Sequence, residues 1–422
     1  MPKTLSLSEL RYADLVREGE TLSWPQGPGE PVALSEALMA QRHELKSPTL
    51  FIGMSASTTV QREHGDVFSL RGLNGAGTNR RLTGGGLLDI IPCHVSSVPS
   101  LIRSGAIRID VALVQVRPHP SGGYTLGVIA DSTQAMIRHA RLVIAQLNDG
   151  LPLTGDDALV AEEDLDILVE SHGRVLEMPD PAIRDVDQAL ARQVAGVIPD
   201  RATVQLGIGV LPVAVARALD RHRELGVHSG VISDVVVDLM EAGVVTNAHK
   251  GCDAGRVVTG GLFGTARLHR FADGNHAIAM RSADYTHHPA VTAKLHAFHT
   301  INSAVEVDLS GQVNSELAGG RYLGAVGGQV DFVRGGVASP GGRSIIALPS
   351  ATAEGAQSRI VPMLLNTPVT TARSDVDLVV TEFGVADLRG RSLRDRARRL
   401  IAIADPRFRE DLERAAAQAQ VA

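Results

Sequence analysis

The sequence predicts an α/β protein of two domains, each with a mainly parallel sheet. Three observations predict it. The chain has 422 residues, and chains beyond about 250–300 residues usually divide into more than one core. Short apolar runs alternate with stretches of helical spacing, the order expected of a parallel sheet with covering helices. Aromatic residues are only 3% of the chain while hydrophobic residues reach 44%. Ala, Val, Leu and Ile must therefore fill the interior, which suits buried parallel strands.

Taken in order, residues 5–41 read as helical and polar-faced, with Ser6 placed to cap the first helix and Gly27–Pro31 as a loop. Thr49–Met54 reads as a buried strand that ends at Gly53. Leu82–Gly86 is a glycine turn before the run LLDIIP; no Gly-Lys-Ser/Thr follows, so it does not read as a phosphate loop. Ile109–Val116 is a strand, followed by a turn through Pro118–Gly123 and a second short strand, YTLGV. Ala135–His139 reads as helix and Leu142–Gln146 as strand. Pro179 opens a linker, and Val186–Val197 is a helix leading into the second half. There Ile301–Leu309 reads as one strand, with a turn at Gly311 and QVNSEL after it. This echoes IDVALVQV and YTLGV, and suggests two similarly built domains at 1–185 and 186–422. Ser392–Ala419 reads as a charged surface helix pair broken at Asp405-Pro406.

Charge and cysteine usage narrow the function. The formal net charge is −6 and no dense basic run occurs, which argues against nucleic acid as the main partner. Cys93 and Cys252 give neither metal spacing nor a disulfide framework, so a reducing compartment is expected. The first residues, MPKTLSLSELRYADLVREGE, hold no apolar signal core. No stretch of about 20 apolar residues occurs, so no membrane partner is expected. The expected location is cytoplasmic.

One stretch carries more than fold information. Thr203–Leu206 reads as a strand, Gly207-Ile208-Gly209 as a tight turn, and Pro212 as the start of a helix through Leu219. Backbone N–H groups at such a turn can face an anionic or polarised ligand. The spacing is not a dinucleotide fingerprint, because Val210-Leu211-Pro212 stands where its third glycine would fall.

The blocks LGIGVLP, LGVHSGVISD and DLMEAGVVTN, with INSAVEVDLSGQVNSE, GAVGGQVDF, SIIALPSA, SRIVPML and VVTEFGVADLRGRS following in order, resemble the acetyl-CoA hydrolase/transferase family, which includes 4-hydroxybutyrate CoA-transferases. The resemblance is strongest from Ile198 to Arg407. It implies two related open α/β domains of the CoA-transferase type, with the active site in a cleft between them. It implies coenzyme A as an acyl-CoA substrate, a small acceptor molecule, no metal, and a homodimer or higher homo-oligomer.

One departure shapes the chemistry. The family's transferases carry a nucleophilic glutamate in the block matching Gly226–Asp234, and here that position is Gly230. His228, Ser229, Ser233 and Asp234 keep register, so no shift restores a glutamate. The resemblance gives Gly327 and Gly328, within Gly324–Phe332, the role of a loop over the thioester whose backbone N–H helps hold the oxyanion. An N–H approaches a carbonyl closely only where no Cβ intervenes, and such donors are worth about 10²–10³ in rate. Gly207, Ile208, Gly209, Gly230, Gly261, Gly264 and Gly324 are the candidate CoA or substrate contacts. His228, Asp234 and Glu306 are further catalytic candidates.

Glu306 lies in an apolar strand, where strict alternation puts Ala304, Glu306 and Asp308 on one face. That is also the pattern of any half-buried strand. His287, His288, His296 and His299 form a histidine-rich patch without the converging set a metal needs, and read as surface or loop residues. The block AQLNDGLPLT resembles a family block that usually has Arg at the position of Leu153. Three functions follow. An acyl group could pass from CoA directly to water, an amine or a hydroxyl. Another carboxylate, Glu306 or Asp234, could sustain ordinary CoA transfer. Or the chain could bind CoA thioesters without chemistry.

Overall fold

The computed structural model describes residues 1–171, 173–353 and 355–418. The chain divides into two compact units, and each is discontinuous in sequence. The first comprises Met1–Pro179, Val258–Thr286 and Arg321–Gly327; the second comprises Asp180–Val257, His287–Gly320 and Gly328–Ala422.

The first unit is built on a sheet whose main path runs Lys3–Ser6, Ile167–Glu170, Leu142–Leu147, Val111–Pro118, Thr21–Trp24, Thr49–Ile52, Ser69–Gly72 and Leu88–Ile90. Every pairing along that path is parallel. The central pair is long because Val111–Val114 and Leu142–Ala145 are continuous apolar runs, buried on both faces. Expected helix at 5–41 is corrected to two strands, Lys3–Ser6 and Thr21–Trp24, with short helices at Tyr12–Leu15 and Val32–Ala40. Thr21–Trp24 is held between Thr49–Ile52 and the longer Val111–Pro118, so sheet pairing overrides the local helical spacing. Ser6 is the N-cap residue of a 3₁₀ turn, Leu7–Glu9, rather than of a long helix, and its N–H donates to Glu9 Oε2 at 2.8 Å.

The second unit has a six-stranded sheet in the order Gly226–Val227, Thr203–Gln205, Phe298–Ser303, Arg343–Ala347, Leu378–Thr381 and Gly384–Asp387. Only the last pairing is antiparallel. Expected strand Ile301–Leu309 is corrected to two. The chain leaves the sheet after Ser303, bends at Val305, and resumes as Glu306–Asp308 in a separate three-stranded sheet with Val313–Asn314 and Ile360–Val361. The face shared by Ala304 and Glu306 is therefore broken.

The C-terminal helices, Leu393–Ala402 and Arg409–Gln418, flank the 3₁₀ turn Pro406–Phe408 capped by Asp405. Ala397, Leu400, Ile401, Leu412 and Ala416 join this unit's core, so one face of the pair is buried rather than at the surface. Ala419, the expected last residue of the pair, lies outside the described residues. Among the described residues no helix is long and apolar enough to cross a membrane.

Candidate active site

In the second unit, several predicted residues gather at the carboxyl ends of parallel strands, where open α/β sheets place ligands. The loop Gly207-Ile208-Gly209 follows Thr203–Gln205, and His228-Ser229-Gly230 follows the neighbouring strand Gly226–Val227. The Ser229 hydroxyl donates to the Leu206 carbonyl and ties the two loops together. Gly209 has φ +102°, a value that favours glycine, and open space where a Cβ would stand. It caps the helix Val210–Ala218, which begins two residues before Pro212. Asp234 is the first residue of the helix Asp234–Glu241, after the N-cap Ser233. A carboxylate there is favoured by the helix dipole, which gives Asp234 a structural reason to be acidic.

Gly230 is packed against an imidazole. A Cβ on Gly230 would stand 2.8 Å from His287 Cε1 and 2.9 Å from Nε2. A Cβ on Gly328 would stand 2.6 Å from the same Nε2. All three distances are too short for a real side chain. The ring of His287 thus fills the space beside both glycines, and Nε2 is the ring atom that faces both. Phe332, on the helix Gln329–Ala338 that Gly328 caps, lies with its ring centroid 4.5 Å from that of His287. Phe298 packs on Phe332 at 6.3 Å and on His228 at 6.0 Å. His287 is only 6% exposed and His228 is fully buried. Burial, with His228 alongside, pushes the His287 imidazole down to about 3, so the ring is neutral at ordinary pH.

Glu306 stands in different surroundings. It is half-buried and accepts a hydrogen bond from Asn314 Nδ2 at 2.9 Å. It lines a cavity of about 560 Å³ with Arg359, Leu317, Gly320, Thr352 and Met363. Arg359 is pushed down by burial first, and Arg184 adds to this while Glu306 and Glu382 oppose it.

The remaining predicted glycines belong to the first unit. Gly261 packs against the Phe263 ring, and the Gly264 carbonyl accepts from Met178 N–H at 2.9 Å. The Gly324 carbonyl accepts from Gly75 N–H and the Gly327 carbonyl from Val95 N–H, each at 3.0 Å. Gly327 has φ +58°. It lines a small cavity of about 60 Å³ with Trp24, Phe51, Asn74, Cys93 and Asp131. Asp131 is half-buried and accepts from Gln26 Nε2 and Thr133 Oγ1, both at 2.9 Å. Burial raises its carboxyl despite those bonds. Leu153 donates its N–H to Asp273.

The sequence reading missed two groups. Asp131 sits in an ordinary polar run, IADSTQ, with no signal to single it out. His287 was placed among surface or loop histidines, and that reading is corrected for half of the patch. His288 and His296 are exposed, while His287 and His299 are buried. The adjacent His288 caps the helical turn Pro289–Thr292, which turns the two neighbours to opposite environments. Among the described residues no group of three or more His, Cys, Asp or Glu is placed to hold a metal.

Comparison with known proteins agrees with this architecture. Residues 2–178 match the acetyl-CoA hydrolase/transferase N-terminal domain and residues 264–416 match its C-terminal domain. The chain is 41% identical to a 4-hydroxybutyrate coenzyme A transferase of Clostridium kluyveri, over 91% of this chain and 90% of that protein. It is similar to the crystal structure of RipA from Yersinia pestis, with a TM-score of 0.92 and 32% identity over 100% of this chain and 98% of that one. It is also similar to a 4-hydroxybutyrate CoA-transferase structure from Porphyromonas gingivalis, with a TM-score of 0.84 and 33% identity over 99% and 98% of the two chains. The chain belongs to the acetyl-CoA hydrolase/transferase family and is an enzyme of the acyl-CoA transferase/hydrolase class.

Proposed function

We propose that this enzyme passes an acyl group from an acyl-CoA directly to a non-carboxylate nucleophile: water, or the amine or hydroxyl of a small acceptor. The observation that carries the reading is the pairing of Gly230 with His287. Position 230 has no side chain, and the space a side chain would take holds an imidazole. Relay of CoA through an enzyme thioester needs a carboxylate, because an acyl anhydride must form and then be reopened by CoA. A glycine at 230 provides none. The backbone N–H of Gly328 remains to polarise a thioester carbonyl, and the loop Gly207–Gly209, in the same unit, remains to meet the ligand.

A specific observation favours a second reading. Glu306 lines a roomy cavity beside Arg359, so a carboxylate is present in this unit, and the 41% identical relative is named a CoA transferase. Ordinary CoA transfer through Glu306 is that alternative. One experiment separates the two. The protein is incubated with acyl-CoA, treated with borohydride or hydroxylamine, and read by peptide mass spectrometry. The proposed function expects no glutamyl adduct, together with release of CoA when the acceptor is water, an amine or an alcohol. An adduct on Glu306 would replace it with the second reading. Calorimetry should show acyl-CoA binding; none at millimolar concentration sinks both.

A further inference from the structure

We propose that the cavity lined by Glu306 and Arg359 binds a zwitterion, an α-amino acid with an aliphatic or thioether side chain, its carboxylate on Arg359 and its ammonium on Glu306. The inference goes beyond the proposed function, and no step of acyl transfer is routed through it. Every residue it uses belongs to the second unit.

Sheet register brings the two charges together. Val307 pairs in parallel with Ile360, and Glu306 pairs antiparallel with Asn314. Arg359 precedes Ile360 as Glu306 precedes Val307, so the two stand side by side on one face. The Val307 N–H donates to the Arg359 carbonyl at 2.9 Å and fixes their backbones. Asn314 is fully buried and donates to one carboxylate oxygen of Glu306 at 2.9 Å. The same amide nitrogen also donates to the Leu317 carbonyl at 2.7 Å. The carboxylate is thus oriented before any ligand arrives.

Opposite charges on neighbouring strands ordinarily attract and close on each other. These do not: among the described residues the Arg359 side chain forms no hydrogen bond or ion pair. The other charges that act on Arg359 are already matched. Glu382 accepts from the Ser350 N–H at 2.9 Å and from its hydroxyl at 2.7 Å. Arg184 donates to Asp187 through two nitrogens, at 2.8 and 2.9 Å. One anion and one cation are left side by side, both half-buried and both on the cavity wall.

That pair selects its ligand. A simple carboxylate would be drawn to Arg359 and repelled by Glu306, and a simple amine the reverse. A molecule carrying both charges satisfies both. In an α-amino acid the two sit on the same carbon, which suits side chains on strands about 4.8 Å apart. The planar guanidinium can hold a carboxylate through two parallel hydrogen bonds. Much of the remaining wall is apolar, with Leu317, Val361, Met363 and Leu365. Met363 is 56% exposed and Leu365 69%, so an aliphatic or thioether side chain laid against them would cover apolar surface. The cavity, about 560 Å³, has room for it.

The test is calorimetric titration of the full chain with L-methionine, with its des-amino acid and with its decarboxylated amine. Wild type should bind methionine about tenfold or more tightly than either analogue, since each lacks one charged hydrogen-bonding group. Glu306→Gln should abolish the preference over the des-amino acid, and Arg359→Gln the preference over the amine. The wild-type comparison needs no variant, in case either variant does not fold. Absence of methionine and leucine binding at millimolar concentration overturns the inference and leaves the proposed function standing. So does equal affinity for methionine and both analogues. Displacement of methionine by coenzyme A, or an acyl-CoA-derived adduct on Glu306, would assign the cavity to the thioester and overturn the inference.

Discussion

Two polar groups of the second unit, His287 and Glu306, stand in opposite settings. The imidazole is sealed among Phe332, Phe298 and His228, with Nε2 turned to two glycines. The carboxylate lies half-buried on the wall of a wide cavity, bonded to Asn314. From sequence alone the ranking is the reverse. A glutamate in an apolar run draws attention, while a histidine in a histidine-rich stretch does not. The difference teaches that a chemical group is marked by what its neighbours give up for it. Two positions forgo a side chain to accommodate one ring, and among the described residues no glycine packs on Glu306 in this way.

The largest expected effect comes from filling the space at Gly230. Gly230→Glu alone places a Cβ within 2.9 Å of two imidazole atoms. It should abolish acyl transfer and destabilise by about 1–3 kcal/mol, the usual cost of overpacking a core. Thermal unfolding and thiol release together measure this. In a His287→Ala background the same glutamate has room, and CoA transfer to acetate should appear. Robust CoA transfer by Gly230→Glu alone would mean that the imidazole does not hold this space.

Much of the fold was legible in the chain, and the reason is length. Val111–Pro118 and Leu142–Leu147 are long strands opened by the apolar runs Val111–Val114 and Leu142–Ala145, and the sequence placed each within two residues. Lys3–Ser6 and Thr21–Trp24 are four-residue strands whose pairing partners are distant. Their local pattern is helical, so tertiary pairing decides them. The break at Val305 was hidden because apolar alternation continues through it while the backbone changes sheet. At the site, the departure at Gly230 was legible as one missing residue inside a block otherwise in register. What replaced it was not, because the contact between Gly230 and His287 exists only in the folded chain.

The next effect is on stability. The ordinary imidazole value of 6.5 falls to about 3 in the fold. Between those values the unfolded chain binds a proton at position 287 that the folded chain does not. The contribution of His287 is thus fully present above pH 6.5, and it is lost as pH falls from 6.5 towards 3. The slope is about 1.4 kcal/mol per pH unit within that window. His299 is also pushed down by burial, so the useful quantity is a difference. Wild type should lose stability in acid faster than His287→Gln, with the two curves parallel above pH 7. Parallel curves down to pH 4 would show that the ring is not held neutral.

The smallest expected effect is at Glu306, and it decides the comparison. Glu306→Gln keeps the side-chain length and one oxygen that can accept from Asn314 Nδ2. What it loses is the charge. If the acyl group passes directly to water, an amine or a hydroxyl, that charge takes no part in bond making. The loss should then reflect only a weakened hydrogen bond, about 0.5–1.5 kcal/mol, or roughly a tenfold change at most. If CoA instead passes through a glutamyl thioester, the charge is the nucleophile, and turnover should fall by orders of magnitude. Activity should be scored with an amine or alcohol acceptor and, separately, with acetate. A small loss with the first supports direct transfer of the acyl group. A collapse of acetate-dependent transfer in Glu306→Gln would assign the chemistry to the carboxylate.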